Sequence, residues 1–261
     1  MCIISGPITT VRATKIYCQP SLDGTRQLTV YSNMVQTDTA DNLMVLPVLF
    51  PETVEFETVP RDFWEQCRAS FVPGISPERS GWWAGTRGPE VPAYLEVLTH
   101  GSYEVALAHT VEDLRRLRPD FARLEPDVLE FLTTTYGGEQ NYGKRFGFIV
   151  CRLKSGATEY EPFAYSHARR ANSRHLFVPT MHFHRLGDEV ATSEADWDHE
   201  IYTLNTGPEA HSSRWEMPHD RNAIRWDAMP MKFRAGPGIP MRKLTRTGVA
   251  RNEDLWLETR V

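Results

Sequence analysis

The chemistry this chain can offer is concentrated late in the sequence. Seven of its nine histidines, His167, His175, His182, His184, His199, His211 and His219, fall between residues 167 and 219. His182 and His184 alternate with Met181 and Phe183 in an apolar run. If that run is a strand, both imidazoles emerge on one face, because strand side chains repeat with period two. Two imidazoles so placed can ligate one metal ion. Asp196, Asp198, His199 and Glu200 then offer a third nitrogen or a carboxylate, which would complete an open three-ligand zinc site or a mixed nitrogen and oxygen site for iron or manganese. The metal set expected from the pattern is His182, His184, His199 and Asp198, with zinc as the ion. The same residues also fit a plainer role, in which Asp198 or Glu200 accepts a hydrogen bond from an imidazole and fixes its tautomer. Neither HExxH nor a paired CxxC accompanies the histidines to decide between the two.

A second candidate stands at the other end of the chain. Cys2 follows Met1, and removal of the methionine would leave a cysteine whose own α-amino group, with a pKa of about 8, can take the thiol proton at neutral pH. In this respect it resembles hydrolases and amidotransferases of the N-terminal-nucleophile class, a resemblance confined to these first residues. The glycine that commonly follows the cysteine in the amidotransferases is replaced by Ile3. The alternative for Cys2 is a small apolar residue in a buried strand. Cys151 lies inside an apolar run, where burial keeps a thiol protonated and inert. Phosphate-binding GxxxxGK[ST] and nucleophile-elbow GxSxG patterns are absent.

Composition narrows the partners. With 29 basic against 34 acidic residues the net charge is −5, which supplies no electropositive footprint, so no nucleic acid is expected. No run approaches the ~18 apolar residues of a bilayer span, so no membrane is expected either. The start lacks the basic and apolar regions of an export signal, and the four cysteines follow no metal spacing. A cytoplasmic or otherwise intracellular protein with free thiols is the expectation. Two stretches suggest a protein partner or a homo-oligomer. Residues 71–92 form a loop rich in Pro and Gly that carries Trp82 and Trp83, and the region after 205 offers Trp215, Trp226, Trp256 and several arginines, residue types that anchor interfaces.

The elements that must position these groups follow from periodicity. Strands are predicted over 2–5, 14–18, 27–36, 43–50 and 53–59, with Pro47 marking 43–50 as an edge or bulged strand. A helix is predicted over 61–69, a hairpin over 94–108, a helix capped by Thr110 that stops before Pro119, and another running from Pro126 to Gly137. A further hairpin is predicted from 145–153 and 158–165, and then strands about Leu176 and over 200–204. The whole predicts an α+β fold of predominantly antiparallel sheet with two or three helices. It divides into a globular domain over 1–205 and a long irregular C-terminal arm, 206–261, packing on the body or on a partner. The leading functional expectation is a non-enzymatic binding or assembly component. The alternatives are a zinc-type hydrolase or metal-binding protein, and an amidohydrolase using Cys2.

Overall fold

The computed structural model describes residues 2–37, 42–73, 94–121, 124–137, 145–153, 156–170, 173–186, 189–190, 193–204, 214–236, 239 and 241–259. Trp82 and Trp83 lie outside the described residues, as do His211 and the first part of the C-terminal region.

The strands in chain order are β1 (Cys2–Ile8), β2 (Thr10–Pro20), β3 (Arg26–Thr37), β4 (Leu43–Leu49) and β5 (Glu55–Glu57), followed by helix α1 (Phe63–Ala69). Next come β6 (Val97–His100), β7 (Tyr103–Ala108), helix α2 (Pro126–Tyr136), β8 (Phe146–Arg152), β9 (Gly156–Glu159) and β10 (Phe163–Ala168). The chain closes with β11 (His175–Val178), β12 (His182–Leu186), β13 (Glu189–Val190), β14 (Glu194–Thr203), β15 (Arg242–Arg251) and β16 (Leu255–Glu258). One sheet has the order β13-β12-β1-β4-β8-β7-β6, and a second has β15-β14-β2-β3-β10-β5 with β9 also on β3. A third, of two strands, is β11-β16.

An α+β chain built mostly of antiparallel pairs is what the periodicity predicts. Two pairs depart from this, since β1 runs parallel to β12 and β2 parallel to β14. Each joins an N-terminal strand to one far along the chain, Cys2 to His182 and Thr14 to His199, and such long-range pairings leave no local sequence mark.

The second sheet is the middle layer. Ile16, Cys18, Tyr31, Phe163, Tyr165 and Ile201 on one of its faces share a core with the first sheet. Tyr17, Leu28, Val30, Ala164 and Tyr202 on the other face pack with Phe63 and Cys67 of α1 and with Trp226, Met229, Phe233 and Met241. β3 is accordingly buried on both faces from Gln27 to Asn33, with the polar Gln27, Thr29, Ser32 and Asn33 included. Helix α2 covers the outer face of the first sheet. Its Phe131 stacks on Phe183 at 4.2 Å, and the Glu125 N–H at its start donates to Ser5 Oγ at 2.9 Å.

Several expectations are corrected by these pairings. The strand over 145–153 does not form a hairpin with 158–165: β8 lies between β4 and β7 in the first sheet, whereas β9 and β10 both join β3 in the second. The segment capped by Thr110, whose Oγ1 accepts the Asp113 N–H, is a 3₁₀ helix over Glu112–Arg116. Pro47 sits in a strand with neighbours on both sides, yet β1 pairs only with Leu43 to Val45, so the missing amide falls where β4 keeps a single neighbour. β14 begins at Glu194, ahead of the strand predicted over 200–204, so residues 194–198 form its first half.

The C-terminal region is not an irregular arm over its described length. β15 pairs along its full length with β14, and β16 pairs with β11. Trp215, Trp226 and Phe233 are buried in the protein's own core. Their scattered spacing hid this, because each fills a gap from a loop or 3₁₀ turn and no period of 2 or 3.6 is needed for that.

Candidate functional site

Three of the strand histidines, His182, His184 and His199, meet at one edge of the gap between the two large sheets. His182 and His184 stand on β12 of the first sheet with their rings 5.6 Å apart, centroid to centroid. His182 Nδ1 is 3.4 Å from His184 Nε2. His199 comes from β14 of the second sheet, and its ring centroid is 4.9 Å from that of His182. The alternation that predicts a shared face for His182 and His184 therefore holds, and Phe183 between them turns the other way, onto α2.

Alternation along β14 selects what faces the histidines. Ala195, Trp197, His199 and Ile201 are buried, while Asp196 and Asp198 are exposed. Asp198 therefore stands on the opposite face from His199, and its Oδ2 accepts the Ala13 N–H at 2.8 Å. Ala13 is held at a φ of 53° where the β2–β3 register shifts, so the carboxylate braces an irregularity in β2. Glu200 accepts from Tyr202 Oη at 2.9 Å and lies 3.9 Å from Lys243 Nζ. Neither carboxylate faces the imidazoles.

Their neighbours are instead an indole and a guanidinium. Trp197 lies 5.6 Å from His182 and 4.9 Å from His199, and Arg246 of β15 lies over the Trp197 ring at 3.7 Å. Trp197 and Arg246 carry no sequence motif. Reading 194–203 as a strand would have found the indole, since it stands two residues before His199.

The electrostatics follow from this setting. His182 is 4% exposed and His199 1% exposed. Burial, with His184 and Arg246 adding to it, holds His182 far below an ordinary imidazole, at about 2. Burial likewise brings His184 down to about 4 and keeps His199 well below its ordinary value. All three rings are neutral at physiological pH, the state that ligates metals. His182 Nε2 and His184 Nδ1 are buried and have no hydrogen-bond partner. Among the described residues, no group of three or more His, Cys, Asp or Glu side chains is arranged to hold a metal ion.

The backbone under His182 is fixed from outside its sheet. The Asn252 side chain accepts the His182 N–H through Oδ1 at 2.7 Å and donates through Nδ2 to the His182 carbonyl at 2.8 Å. Two residues on, the half-buried Asp254 carboxylate accepts the Thr180 and Met181 N–H groups at 2.8 and 2.9 Å and the Tyr136 hydroxyl at 2.7 Å. Its pKa is raised by burial, against the lowering effect of those donors. The connection between β15 and β16 thus sets where β12 begins.

Cys2 is the register partner of His182 across the parallel β1–β12 pair. Its side chain lies outside the described residues. The other thiols are buried: burial pushes Cys18 up to about 12 and raises Cys67 and Cys151 well above the ordinary thiol value. They are inert packing groups.

No family model and no curated protein matches the chain. Among solved structures it is similar to baculovirus P35, at 13% identity over 97% of each chain with a TM-score of 0.44. A chain of the caspase-8/P35 complex is similar at 11% identity over 95% of this chain and 96% of that one, with a TM-score of 0.47. A mutated baculovirus P35 after caspase cleavage gives 11% identity, coverage of 95% and 99%, and a TM-score of 0.42. Likenesses of this size carry no inference about activity. No helix among the described residues is long and apolar enough to cross a membrane.

Proposed function

We propose that this protein is a non-enzymatic binding component whose ligand is another protein. The observation that supports the reading best is a pair of large apolar side chains exposed on two segments that a backbone hydrogen bond joins. Leu22, in the β2–β3 turn, is 69% exposed and Met231 is 77% exposed. The Leu22 N–H donates to the carbonyl of Lys232, next to Met231 in the chain, at 3.0 Å, so the backbone ties the two segments together. Apolar side chains clustered on a surface gain most when a partner covers them. The buried thiols Cys18, Cys67 and Cys151 provide no nucleophile to compete with this reading. The sequence adds the Trp82 and Trp83 loop as a second contact, whereas Trp215 and Trp226 are committed to the protein's own core and are not anchors.

The test is partner capture with the full-length chain, comparing the unaltered protein with Leu22→Asp/Met231→Asp and with Trp82→Ala/Trp83→Ala. Caspase-8, seen with P35 in one of the solved structures, is included as a candidate ligand, and light scattering tests self-association. Each double variant is expected to weaken capture at least about tenfold, since loss of an interface anchor costs more than about 1 kcal/mol. Undiminished binding by both, or a monomer with no partner, would overturn the reading.

A further inference from the structure

A strand at the border of a sheet leaves a row of backbone amides and carbonyls without a neighbour, and such a row is a template for another strand. β15 forms one border of the second sheet. Among the described residues it pairs with β14 along one side, and on the other it meets only Glu216, in a single bridge to Lys243. That bridge shows which residues look outward. The Glu216 N–H donates to the Lys243 carbonyl at 2.7 Å and the Lys243 N–H to the Glu216 carbonyl at 3.3 Å. By the alternation of an antiparallel ladder, the backbone groups of Thr245, Thr247 and Val249 face the same open side. The β14–β15 register runs without a shift through Gly248, whose φ is 81°, so this parity is kept to the end of the strand. Thr245, Thr247, Gly248 and Val249 are exposed, Val249 at 72%.

Both ends of the row are already taken. Glu216 fills the place beside Lys243, and the Arg251 carbonyl accepts the Trp197 indole N–H at 3.2 Å. The open length is therefore Thr245 to Val249, and its centre is Thr247. Two usual guards of an exposed edge, proline and lysine, are missing from these five residues. The outward row is uncharged and β-branched, and it fits itself. Laid antiparallel on a second copy with Thr247 opposite Thr247, it sets Thr245 against Val249 and Leu244 against Ala250. Arg246, which lies over Trp197 at 3.7 Å, then stands opposite Gly248, which has no side chain to cover the guanidinium. No like charges meet along this stretch.

We propose that a second copy of this chain docks here, β15 on β15 about a two-fold axis through Thr247, so that the second sheet runs on through both copies. Thr247 exchanges both backbone bonds with its counterpart, and Thr245 and Val249 do so with each other in both directions, giving about six hydrogen bonds. The contact is isologous and closes at two copies. Five residues a side bury less than the ~1,200 Å2 of a standard interface, so half-dimerisation is expected at about 10–300 µM. The Leu22 and Met231 segments are not part of this edge: Thr245 to Val249 lie level with the Thr14 end of β2, whereas Leu22 follows its other end.

The test is sedimentation of the full-length chain over a range of concentration up to about 1 mM, beyond the expected midpoint. A monomer–dimer equilibrium is expected. Thr247→Pro deletes an outward amide that makes no bond to β14, and Thr247→Lys sets two like charges against each other at the axis. Each is expected to weaken dimerisation more than about tenfold. Thr247 is exposed, so the lysine variant carries the test if the proline one does not fold. Thr247→Cys is expected to give a disulfide-linked dimer on mild oxidation, since paired Cα atoms there stand about 5.5 Å apart. Thr245→Cys, displaced from its own copy by four residues, and the unaltered chain are expected to give none. Leu22→Asp/Met231→Asp is expected to leave the dimer intact, which separates this contact from the protein-binding surface. A chain that stays monomeric throughout, a dimer that both Thr247→Pro and Thr247→Lys leave intact, or loss through Thr247→Lys of a different protein bound to a monomeric chain would overturn the proposal.

Discussion

Two buried polar clusters lie within a few residues of each other and are finished to different degrees. Around Asp254 every oxygen has work: two backbone amides and the Tyr136 hydroxyl converge on one carboxylate. Around His182 the rings meet one another, an indole and a guanidinium, and two ring nitrogens find nothing. A satisfied network tightens a fold without outside help, whereas a half-satisfied one costs stability unless a ligand completes it.

The largest expected effect is that of acid. His167 and His182 stay neutral in the folded state down to about 4 and about 2, both held low by burial. In the unfolded chain they take up protons below about 6.5. The folded-state pKa is the lower one, so the stability present above pH 6.5 is lost as pH falls, by about 1.4 kcal/mol per pH unit for each group, until pH passes the folded value. Urea unfolding at pH 7, 6 and 5 measures this, and a flat profile would mean the imidazoles are not buried in the neutral form.

Next is Asp254→Ala, which strands a buried hydroxyl and two amides and is expected to cost about 3 kcal/mol or more in denaturant unfolding. His182→Phe is the counterpart at the unfinished cluster. It replaces a ring with one unsatisfied nitrogen by an apolar one and is expected to change stability by less than about 1 kcal/mol. Equal losses in the two variants would erase the distinction drawn here. Arg246→Ala removes the cation over Trp197 and is expected to cost about 1 kcal/mol. Smallest is Asp198→Ala, about 0.5–1 kcal/mol through the Ala13 amide, read in the same urea unfolding.

The sequence carried the parts of this arrangement that depend on local period. The shared face of His182 and His184, the Pro126 start and Gly137 end of α2, and the hairpin of β6 and β7 all follow from alternation or capping. What it concealed was set by distant pairing. Nothing near Cys2 announces His182 as its neighbour, and nothing near His199 announces that the second sheet would bring it across the gap. Asp198 looked like a companion because it adjoins His199 in sequence, yet in a strand adjacency places two residues on opposite faces. The C-terminal tryptophans looked like anchors for a partner because isolated aromatic residues in loops have no period to betray their burial.

The Asn252 carboxamide grips both backbone groups of a single residue, His182, and so acts as a strand one residue long. A slide of β12 by one position would turn both imidazoles outward and bring Phe183 in, and this one side chain opposes it. Asn252→Asp keeps the size but loses the donor. The direction in which the histidines look is thus written seventy residues downstream of them, in a side chain that would itself touch no ligand.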